Sequence, residues 1–285
     1  MLIDTHAHLD FPEFATDLPD VLARAAEAGV SRMITVSTTV ESSRRSISLA
    51  TEHASVFATV GIHPSNADSF SDDEMAVLRE LAGHPRVLAL GECGLDYHSL
   101  PSSEMHESAV ATAALGNETP ADVTGAIRDG AVKAKQSEVF QRQLELAAEL
   151  KLPVVVHERD AWADTVAQIK PFAGRIRAVF HCFNRSIDEA REVIDLGFLV
   201  SFTGIVTFKN ARLLHETAAK IPDGSFMVET DCPFLAPMPK RGMRCEPAHT
   251  KAIAMRIAEL RGKTLEEIAA ETSATAERFF AFPVR

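Results

Sequence analysis

The sequence predicts an α/β protein folded as a closed (β/α)8 TIM barrel. Eight short apolar runs recur along the 285 residues, and stretches with apolar side chains three and four positions apart lie between them. Several runs are apolar at successive positions, which is typical of parallel strands buried on both faces. Eight strand–helix units in a chain of this length are what one barrel requires. A doubly wound open sheet is the alternative that this pattern leaves open.

The predicted strands and helices alternate from the N-terminus to the C-terminus. Amphipathic stretches such as Leu18–Ala28 and Val139–Leu150 predict helices that pack on the outside of the sheet. The segment Ala248–Phe282 predicts two helices that close the last turn of the barrel, and Thr264 with Glu267 resembles a capping box at the second start. The runs predicted as strands are Leu2–Thr5, Arg32–Val36, Phe57–Gly61, Val87–Gly91, Pro153–Val156, Ala178–Phe180, Phe198–Ser201 and Ser225–Val228.

We expect a single domain, residues 1–285, that carries one extended loop. The segment Ser99–Lys135, rich in Ala, Ser, Thr and Glu, joins the fourth strand to its helix, where connections are usually short. Long loops after barrel strands lie at the C-terminal mouth, where active sites are built. Two interpretations stay open: a lid or substrate rim, and a solvated excursion without a functional role.

Composition and charge restrict the class of protein. The chain is 46% hydrophobic and 24% charged, and its formal net charge is −11. This charge argues against a protein that coats DNA through general electrostatics, but it leaves open an enzyme whose bound cations create a local positive site. No apolar run approaches the roughly 20 residues that span a membrane, and no basic stretch precedes an apolar one at the N-terminus. We therefore expect a cytoplasmic protein.

Side chains that bind metal ions recur where the predicted strands end. His6 and His8 lie two residues apart at the end of the first run, so their side chains point the same way and can hold one ion. Because the carboxyl ends of barrel strands meet at one mouth, residues that end the later runs are expected to converge on this pair. The candidate ligands are His6, His8, Glu92, His157, His181 and Asp231.

Six protein ligands exceed the three that a catalytic zinc uses beside its open position. They suit two divalent ions bridged by a carboxylate, and Glu92, with two oxygens, is the predicted bridge. Imidazole ligands favour Zn, Mn, Fe or Ni over Mg alone, although the sequence does not identify the metal. The predicted assignment places one ion on His6, His8 and Asp231, and the other on His157 and His181.

The four cysteines are those of a protein in a reducing compartment. Cys93, Cys182 and Cys232 each directly follow one candidate ligand, so on a strand they should face the opposite way, as small buried apolar side chains. The chain has no C-x-x-C pair, which argues against a cysteine-rich structural zinc site.

Five segments, in order along nearly the whole chain, resemble those of the TatD family of metal-dependent deoxyribonucleases. The resemblance implies a TIM barrel with a binuclear metal site, and hydrolysis of phosphodiester bonds in DNA, often single-stranded and from the 3′ end. It also identifies the six candidate ligands one by one as the family's metal positions. The segments are Asp4–His8, Gly91–Tyr97, Val156–Ala161, His181–Phe183 and Glu229–Pro237.

The same resemblance implies roles for four further residues. His63, in Gly-Ile-His-Pro, is expected to contact the scissile phosphate, with a packing or helix-capping role as the alternative. The planar guanidinium of Arg241 suits a phosphate, with a surface ion pair as the alternative. Asp96 and Arg159 are expected to orient metal ligands. Cys245 stands where the family usually has asparagine, which puts a polar contact there in doubt, and the connection at 99–135 exceeds the family norm by roughly 25 residues.

The favoured function is a deoxyribonuclease that uses two divalent ions, drawn from Zn, Mn, Mg, Ni and Fe. Asp231 is expected to accept the proton of the attacking water, and Glu92 and His63 complete the catalytic set. The expected partner is DNA, with no membrane and no obligate protein partner. The alternatives are a barrel hydrolase for a small amide, lactone or ester, and a non-catalytic metal-binding scaffold. Small-molecule hydrolases of this type more often carry a lysine bridge, so Glu92 favours the nuclease.

Overall fold

Eight parallel strands form one sheet whose spatial order follows the chain. The computed structural model describes residues 1–101 and 121–283. A parallel bridge between Ala7 and Cys232 joins the first strand to the segment after the last one and closes the barrel. The predicted TIM barrel is confirmed, and the open-sheet alternative is wrong. The strands are β1 (Leu2–Ala7), β2 (Val30–Thr35), β3 (Val56–Val60), β4 (Val87–Asp96), β5 (Val154–Arg159), β6 (Ala178–Phe180), β7 (Leu199–Phe202) and β8 (Phe226–Val228).

Two strands extend beyond the apolar runs that predicted them. β4 continues through Glu92 to Asp96, and β5 continues through His157 to Arg159. The two strands stay paired over this extension, where Gly94 lies opposite His157. Backbone hydrogen bonding, which does not depend on apolar side chains, continues the ladder after the hydrophobic pattern has ended.

Helices follow the strands and cover the outside of the barrel. The last two confirm the prediction for the C-terminal segment, because the final helix packs against β1 and β8, where the barrel closes. Its start at Thr264 is a capping box with Glu267, as predicted. The helices are α1 (Leu18–Glu27), α2 (Val40–Glu52), α3 (Asp72–Leu81), α4 (Ala121–Leu150), α5 (Trp162–Ile169), α6 (Ile187–Asp195), α7 (Arg212–Lys220), α8 (Thr250–Arg261) and α9 (Leu265–Phe280).

Helix α4 begins earlier than the sequence pattern indicated. Residues 121–135, predicted as part of an extended loop, are helical, so that part of the prediction is wrong, whereas 102–120 lie outside the described residues. Polar contacts anchor this half of the helix. The Gln136 side chain bonds the backbone N–H and carbonyl of Asp96 at 2.9 and 3.0 Å, and Lys133 lies 4.4 Å from the centre of the Tyr97 ring. Apolar periodicity does not reveal such contacts. None of the described helices, α4 included, is both long and apolar enough to cross a bilayer.

The N-terminal end of the barrel is filled with apolar side chains. Phe279 and Phe280 of α9 close this end against inward-facing strand residues, and a larger apolar cluster lies between the sheet and the surrounding helices. The opposite end of the barrel is therefore the one that can hold a site. The strand and strand-end residues of the inner cluster are Ile3, Ile34, Val36, Phe57, Leu88, Ala89, Val155, Val179 and Met227.

The cysteine predictions are confirmed in the main. All four cysteines are free thiols, and Cys93 and Cys232 are fully buried. Cys182 is partly buried, with its sulfur 3.6 Å from the Thr203 hydroxyl. Cys245 is also buried, and its sulfur lies 4.0 Å from the carbonyl of Thr230.

The side chain of Arg86 caps the C-terminal end of α2. The Arg86 guanidinium donates to the carbonyls of Ala50 at 2.8 Å and Ala54 at 3.0 Å, and it lies 3.9 Å from the centre of the Phe57 ring. Carbonyls in the last turn of a helix have no partner inside the helix, so this side chain satisfies groups that would otherwise be unpaired.

We predict that Arg86→Ala lowers the free energy of unfolding by about 2–4 kcal/mol, because it leaves half-buried carbonyls without donors. Urea denaturation followed by circular dichroism measures the change. The control is Arg191→Ala, since Arg191 is exposed and, among the described residues, pairs with Asp188 alone, on the same helix. An exposed pair of this kind contributes about 0–1 kcal/mol. Equal losses in the two variants would contradict the capping role of Arg86.

Candidate metal centre

The six predicted ligands converge at the C-terminal end of the barrel. In β5 and β6 the inward-facing residues Val155 and Val179 are followed two positions later by His157 and His181, which places the histidines directly above the apolar layer. The closure of the barrel brings the first and last ligand segments together, because the Asp231 N–H donates to the His6 carbonyl at 2.8 Å.

The first cluster consists of His6, His8, Asp231 and one oxygen of Glu92. The Nε2 atoms of His6 and His8 are 3.3 Å apart. They lie 3.4 and 3.7 Å from Glu92 Oε2, and 3.6 and 3.4 Å from Asp231 Oδ1. Four tetrahedral ligands at zinc–nitrogen distances are roughly 3.3–3.4 Å apart, so this donor set fits one divalent ion.

The second cluster surrounds the other oxygen of Glu92. His157 Nδ1 and His181 Nε2 each lie 2.6 Å from Glu92 Oε1, the length of direct hydrogen bonds, and 3.1 Å from each other. His63 Nε2 lies 3.3 Å from His157 Nδ1 and 3.6 Å from Glu92 Oε1. Nitrogen and oxygen donors therefore meet at a second point, and Glu92 contacts both clusters, through Oε2 in the first and Oε1 in the second.

The ligand side chains are shielded from water. His6, His8, Glu92 and His181 are each at most 6% exposed. The Nδ1 atoms of His6 and His181 are buried without a hydrogen-bond partner in the described part of the chain. The nitrogens that face the clusters are the Nε2 atoms of these two rings, which lie against the carboxylates of Glu92 and Asp231. Buried imidazoles and carboxylates gathered in this way suit a metal site, because bound ions compensate charged groups that are removed from water.

Further contacts orient three of the histidines. His8 Nδ1 lies 2.8 Å from the carbonyl of Val36, so Nδ1 carries a proton and Nε2 is the nitrogen that faces the cluster. His157 has the opposite orientation, with Nδ1 toward the second cluster, because its Nε2 lies 3.2 Å from the carboxylate of Asp96. His181 Nδ1 faces Glu229 Oε1 at 3.6 Å.

Two buried carboxylates of this region did not follow from the sequence analysis. Glu229 accepts hydrogen bonds from the Ser201 hydroxyl and the Cys182 N–H, both at 2.7 Å. Asp4 accepts from the Thr230 backbone and hydroxyl at 2.9 and 2.6 Å and thereby holds the segment that carries Asp231. The signal was present, because each is a charged residue within or next to a buried apolar run and lies two residues from a candidate ligand.

The charges of the site shift its pKa values in opposite directions. Burial alone would raise the pKa of Glu92, but the histidines around it, foremost His181, hold that pKa well below its usual value. Burial opposes protonation of His181, but the carboxylates of Glu92 and Glu229 raise its pKa well above the usual value. Burial raises the pKa of Asp4 to about 7. A proton on His181 competes with a metal ion, so metal binding is expected to weaken as the pH falls.

Close backbone packing brings Glu92 to the histidines. Gly94 has a φ of +152°, and a Cβ at this position would lie 1.9 Å from the carbonyl oxygen of His157, so only glycine lets β4 pass so near β5. Asp231 is in the left-handed region, with a φ of 56°, which Asp tolerates better than most residues. Strained backbone of this kind concentrates at functional sites.

A cavity of about 720 Å³ opens above the clusters, and three of the four other predicted site residues line it. His63, Asp96 and Arg159 line it, and the Arg159 side chain is exposed without a hydrogen bond or ion pair to any described residue. Arg241 does not line it and lies 4.5 Å from the centre of the Phe208 ring. Cys245, buried behind the site, makes no contact with the cavity.

Known proteins resemble this chain in sequence and structure. A family model described as TatD related DNase matches residues 3–281. The metal-dependent hydrolase YabD of Bacillus subtilis, named as uncharacterized, is 38% identical over 98% of this chain and 99% of that protein. The 3′-5′ ssDNA/RNA exonuclease TatD of Citrobacter koseri is 33% identical over 98% of each. The crystal structure of YjjV, a TatD homolog from Escherichia coli, has a TM-score of 0.83 at 27% identity and covers 99% of this chain and 98% of that chain.

We predict that Glu92→Gln binds fewer metal ions per chain than the wild type, because Gln keeps the size but loses the charge and one of the two metal-binding oxygens. Calorimetric titration of chelator-treated protein measures the stoichiometry. Glu158→Gln is the matched control, because Glu158 lines the same cavity but pairs with Arg185 at 2.7 Å. Unchanged stoichiometry and affinity in Glu92→Gln would remove Glu92 from the metal site.

Proposed function

Because this chain belongs to the TatD-related DNase family, we propose that it is a metal-dependent 3′–5′ exonuclease that hydrolyses phosphodiester bonds at single-stranded DNA ends. The observation that carries the proposal is the position of Glu92 between two histidine clusters below an open cavity. Relatives named as 3′-5′ ssDNA/RNA exonucleases support both the substrate class and the direction of attack.

We further propose that the two clusters hold two divalent ions bridged by Glu92. His6, His8 and Asp231 complete the first site, and His157 and His181 complete the second. When bound, a pair of such ions lowers the pKa of the attacking water and stabilises negative charge on the phosphate. Zn, Mn, Mg, Ni and Fe are the candidates, with imidazole ligands favouring the transition metals.

Asp231 is the proposed general base. Its carboxylate faces His6 and His8, yet it lines the cavity and remains 14% exposed, so it can reach both the ligands and the solvent side. Its pKa is lowered: burial opposes this shift, but the hydrogen bond from His8 and the nearby histidine charges outweigh it. An ionised carboxylate at the edge of the site can accept the proton of the attacking water.

His63 is proposed to contact the scissile phosphate rather than a metal ion. The backbone N–H of Ser65 donates to His63 Nδ1 at 3.1 Å, so the proton of the neutral ring is on Nε2, which faces the clusters. Burial lowers the pKa of His63 to about 3, so the ring is neutral at physiological pH. A neutral ring with its proton on Nε2 can donate to a phosphate oxygen or to the departing oxygen, and it is the wrong tautomer for binding metal through that atom.

Two further cationic residues are proposed to bind the DNA strand as it enters the cavity. Arg159 at the cavity rim is proposed as a phosphate contact in place of the orienting role expected from the resemblance, because its side chain makes no hydrogen bond or ion pair to any described residue. Arg241, which stacks on Phe208, is proposed to bind the strand farther from the scissile bond. Because only the mouth has to attract phosphate, an overall net charge of −11 is compatible with this substrate.

A cytoplasmic location remains a proposal that rests on the four free thiols. Recovery of the protein in an exported fraction after cell fractionation would contradict it.

The test of the proposed function is degradation of a single-stranded oligonucleotide labelled at its 5′ end. Chelator-treated protein is reconstituted with each of the five metals in turn and compared with untreated and metal-free protein. The expected result is a metal-dependent ladder of products that retain the 5′ label and shorten one nucleotide at a time. A parallel RNA oligonucleotide tests the wider substrate range, and hydrolysis confined to a panel of amides, lactones and esters would favour the alternative enzyme class.

We predict that Asp231→Asn lowers kcat on the oligonucleotide by about 10²-fold or more, because Asn retains a metal-binding oxygen but does not accept a proton at neutral pH. Metal affinity should fall less than the rate, and calorimetric titration beside steady-state kinetics separates the two. Asp160→Asn is the matched control. Asp160 also has left-handed backbone at the mouth, with a φ of 55°, but it pairs with His98. A wild-type rate in Asp231→Asn would mean that another group is the base.

A further inference from the structure

Two phenylalanines form one wall of the cavity, which we call the aromatic wall (Phe11 and Phe234). The Phe234 residue is 50% exposed, and it is the only phenylalanine among the described residues with large exposure. The ring centres of Phe11 and Phe234 are 6.2 Å apart at an interplanar angle of 81°. The exposed face of Phe234 lines the same cavity as the candidate metal ligands, so it is available for stacking on a ligand that enters there.

The aromatic wall is fixed to the candidate metal ligands. The Phe11 N–H donates to the His8 carbonyl at 3.2 Å, and the Phe234 N–H donates to the Asp231 carbonyl at 3.0 Å. The Phe11 ring also stacks on the His8 ring, with centres 4.7 Å apart and planes 21° apart. Each phenylalanine therefore follows a ligand of the first cluster by three residues and is held over it by the same short turn.

Most of the remaining cavity lining is polar or charged, with Ile205 and Leu235 as further apolar residues. Around the second cluster the cavity is lined by polar groups that suit phosphate and sugar, among them Ser65, Asn66, Arg159 and Asn184. The aromatic wall offers no hydrogen-bond donor or acceptor from its side chains. A nucleotide has the same division into an anionic, polar part and a flat apolar base.

We propose that the aromatic wall stacks a nucleobase beside the scissile bond, with Phe234 as its main contact. This proposal rests on the proposed nuclease function and specifies how the same site binds its substrate. Because every base has an aromatic face, stacking of this kind accepts all four bases and positions the strand without reading its sequence. Phe234 is thus a substrate-binding residue, whereas the reacting phosphate is bound by the ligand clusters.

The test compares Phe234→Ala, Phe234→Tyr and the wild type on oligonucleotides with a normal or an abasic residue at the 3′-terminal or the penultimate position. Phe234→Ala should lose about tenfold in kcat/KM on the normal substrate, mainly through KM, and Phe234→Tyr should keep most of the wild-type value. The loss should disappear when the stacked position is abasic. Leu213→Ala is the control, because Leu213 is similarly exposed, at 54%, on a helix outside the cavity.

A binding measurement separates failure of the wall from failure of the nuclease proposal. Calorimetry on metal-loaded protein compares dAMP with deoxyribose 5-phosphate, which lacks the base. If the base stacks on the aromatic wall, the wild type should bind dAMP more tightly than deoxyribose 5-phosphate. Phe234→Ala should bind the two compounds with similar affinity. If the wild type degrades no oligonucleotide, the nuclease proposal fails, and the calorimetry still tests the wall. If Phe234→Ala acts like the wild type on normal substrates, or loses equally on both abasic substrates, base stacking on Phe234 is overturned.

Discussion

The carboxylate of Glu92 is the group on which the arrangement of this protein depends. It is 2% exposed and lies within 3.7 Å of a nitrogen of each of five histidines, which come from the ends of four strands: His6, His8, His63, His157 and His181. A carboxylate buried this deeply is unstable unless cations or hydrogen-bond donors surround it. The strands must therefore deliver their polar ends to one point, and a closed barrel with parallel strands does so.

Layers of side chains inside the barrel support the position of Glu92. Apolar residues and the end of α9 fill the N-terminal end. Above them lies a layer of hydrogen-bonded polar side chains, in which Glu229 accepts from Ser201 and the Ser37 hydroxyl donates to the carbonyl of Thr59 at 2.8 Å. The candidate metal ligands form the top layer. Each layer restricts the one above it, because packed side chains and satisfied hydrogen bonds leave the ligands few alternative positions.

The cavity above the ligands combines a polar side with the aromatic wall. The polar side carries Arg159 and the Nε2 proton of His63, and the wall carries the exposed face of Phe234. An enzyme whose overall charge repels nucleic acid depends on such local features, since long-range attraction is lacking. The proposed phosphate contact and base stack would bind a strand without reading its sequence, because every base has an aromatic face.

The sequence by itself determined the barrel and which six candidate ligands reach its mouth, because parallel strands are marked by apolar runs and the six residues lie at or within three residues of the ends of those runs. Most strand boundaries and the C-terminal helices follow from the same local patterns. The helical residues 121–135 did not, since the contacts of Gln136 with Asp96 and of Lys133 with Tyr97 carry no periodic signal.

Only the tertiary structure decided which groups share an oxygen of Glu92, that Asp4 and Glu229 support the ligands, and that Arg241 lies apart from the cavity. Each of these depends on distances between residues far apart in the chain, such as Asp4 and Thr230, which are set by the closure of the barrel. The proton position on His63 is a further case, because it follows from one backbone hydrogen bond in a folded turn. Local pattern specifies which residues reach the mouth, and packing specifies what each of them contacts there.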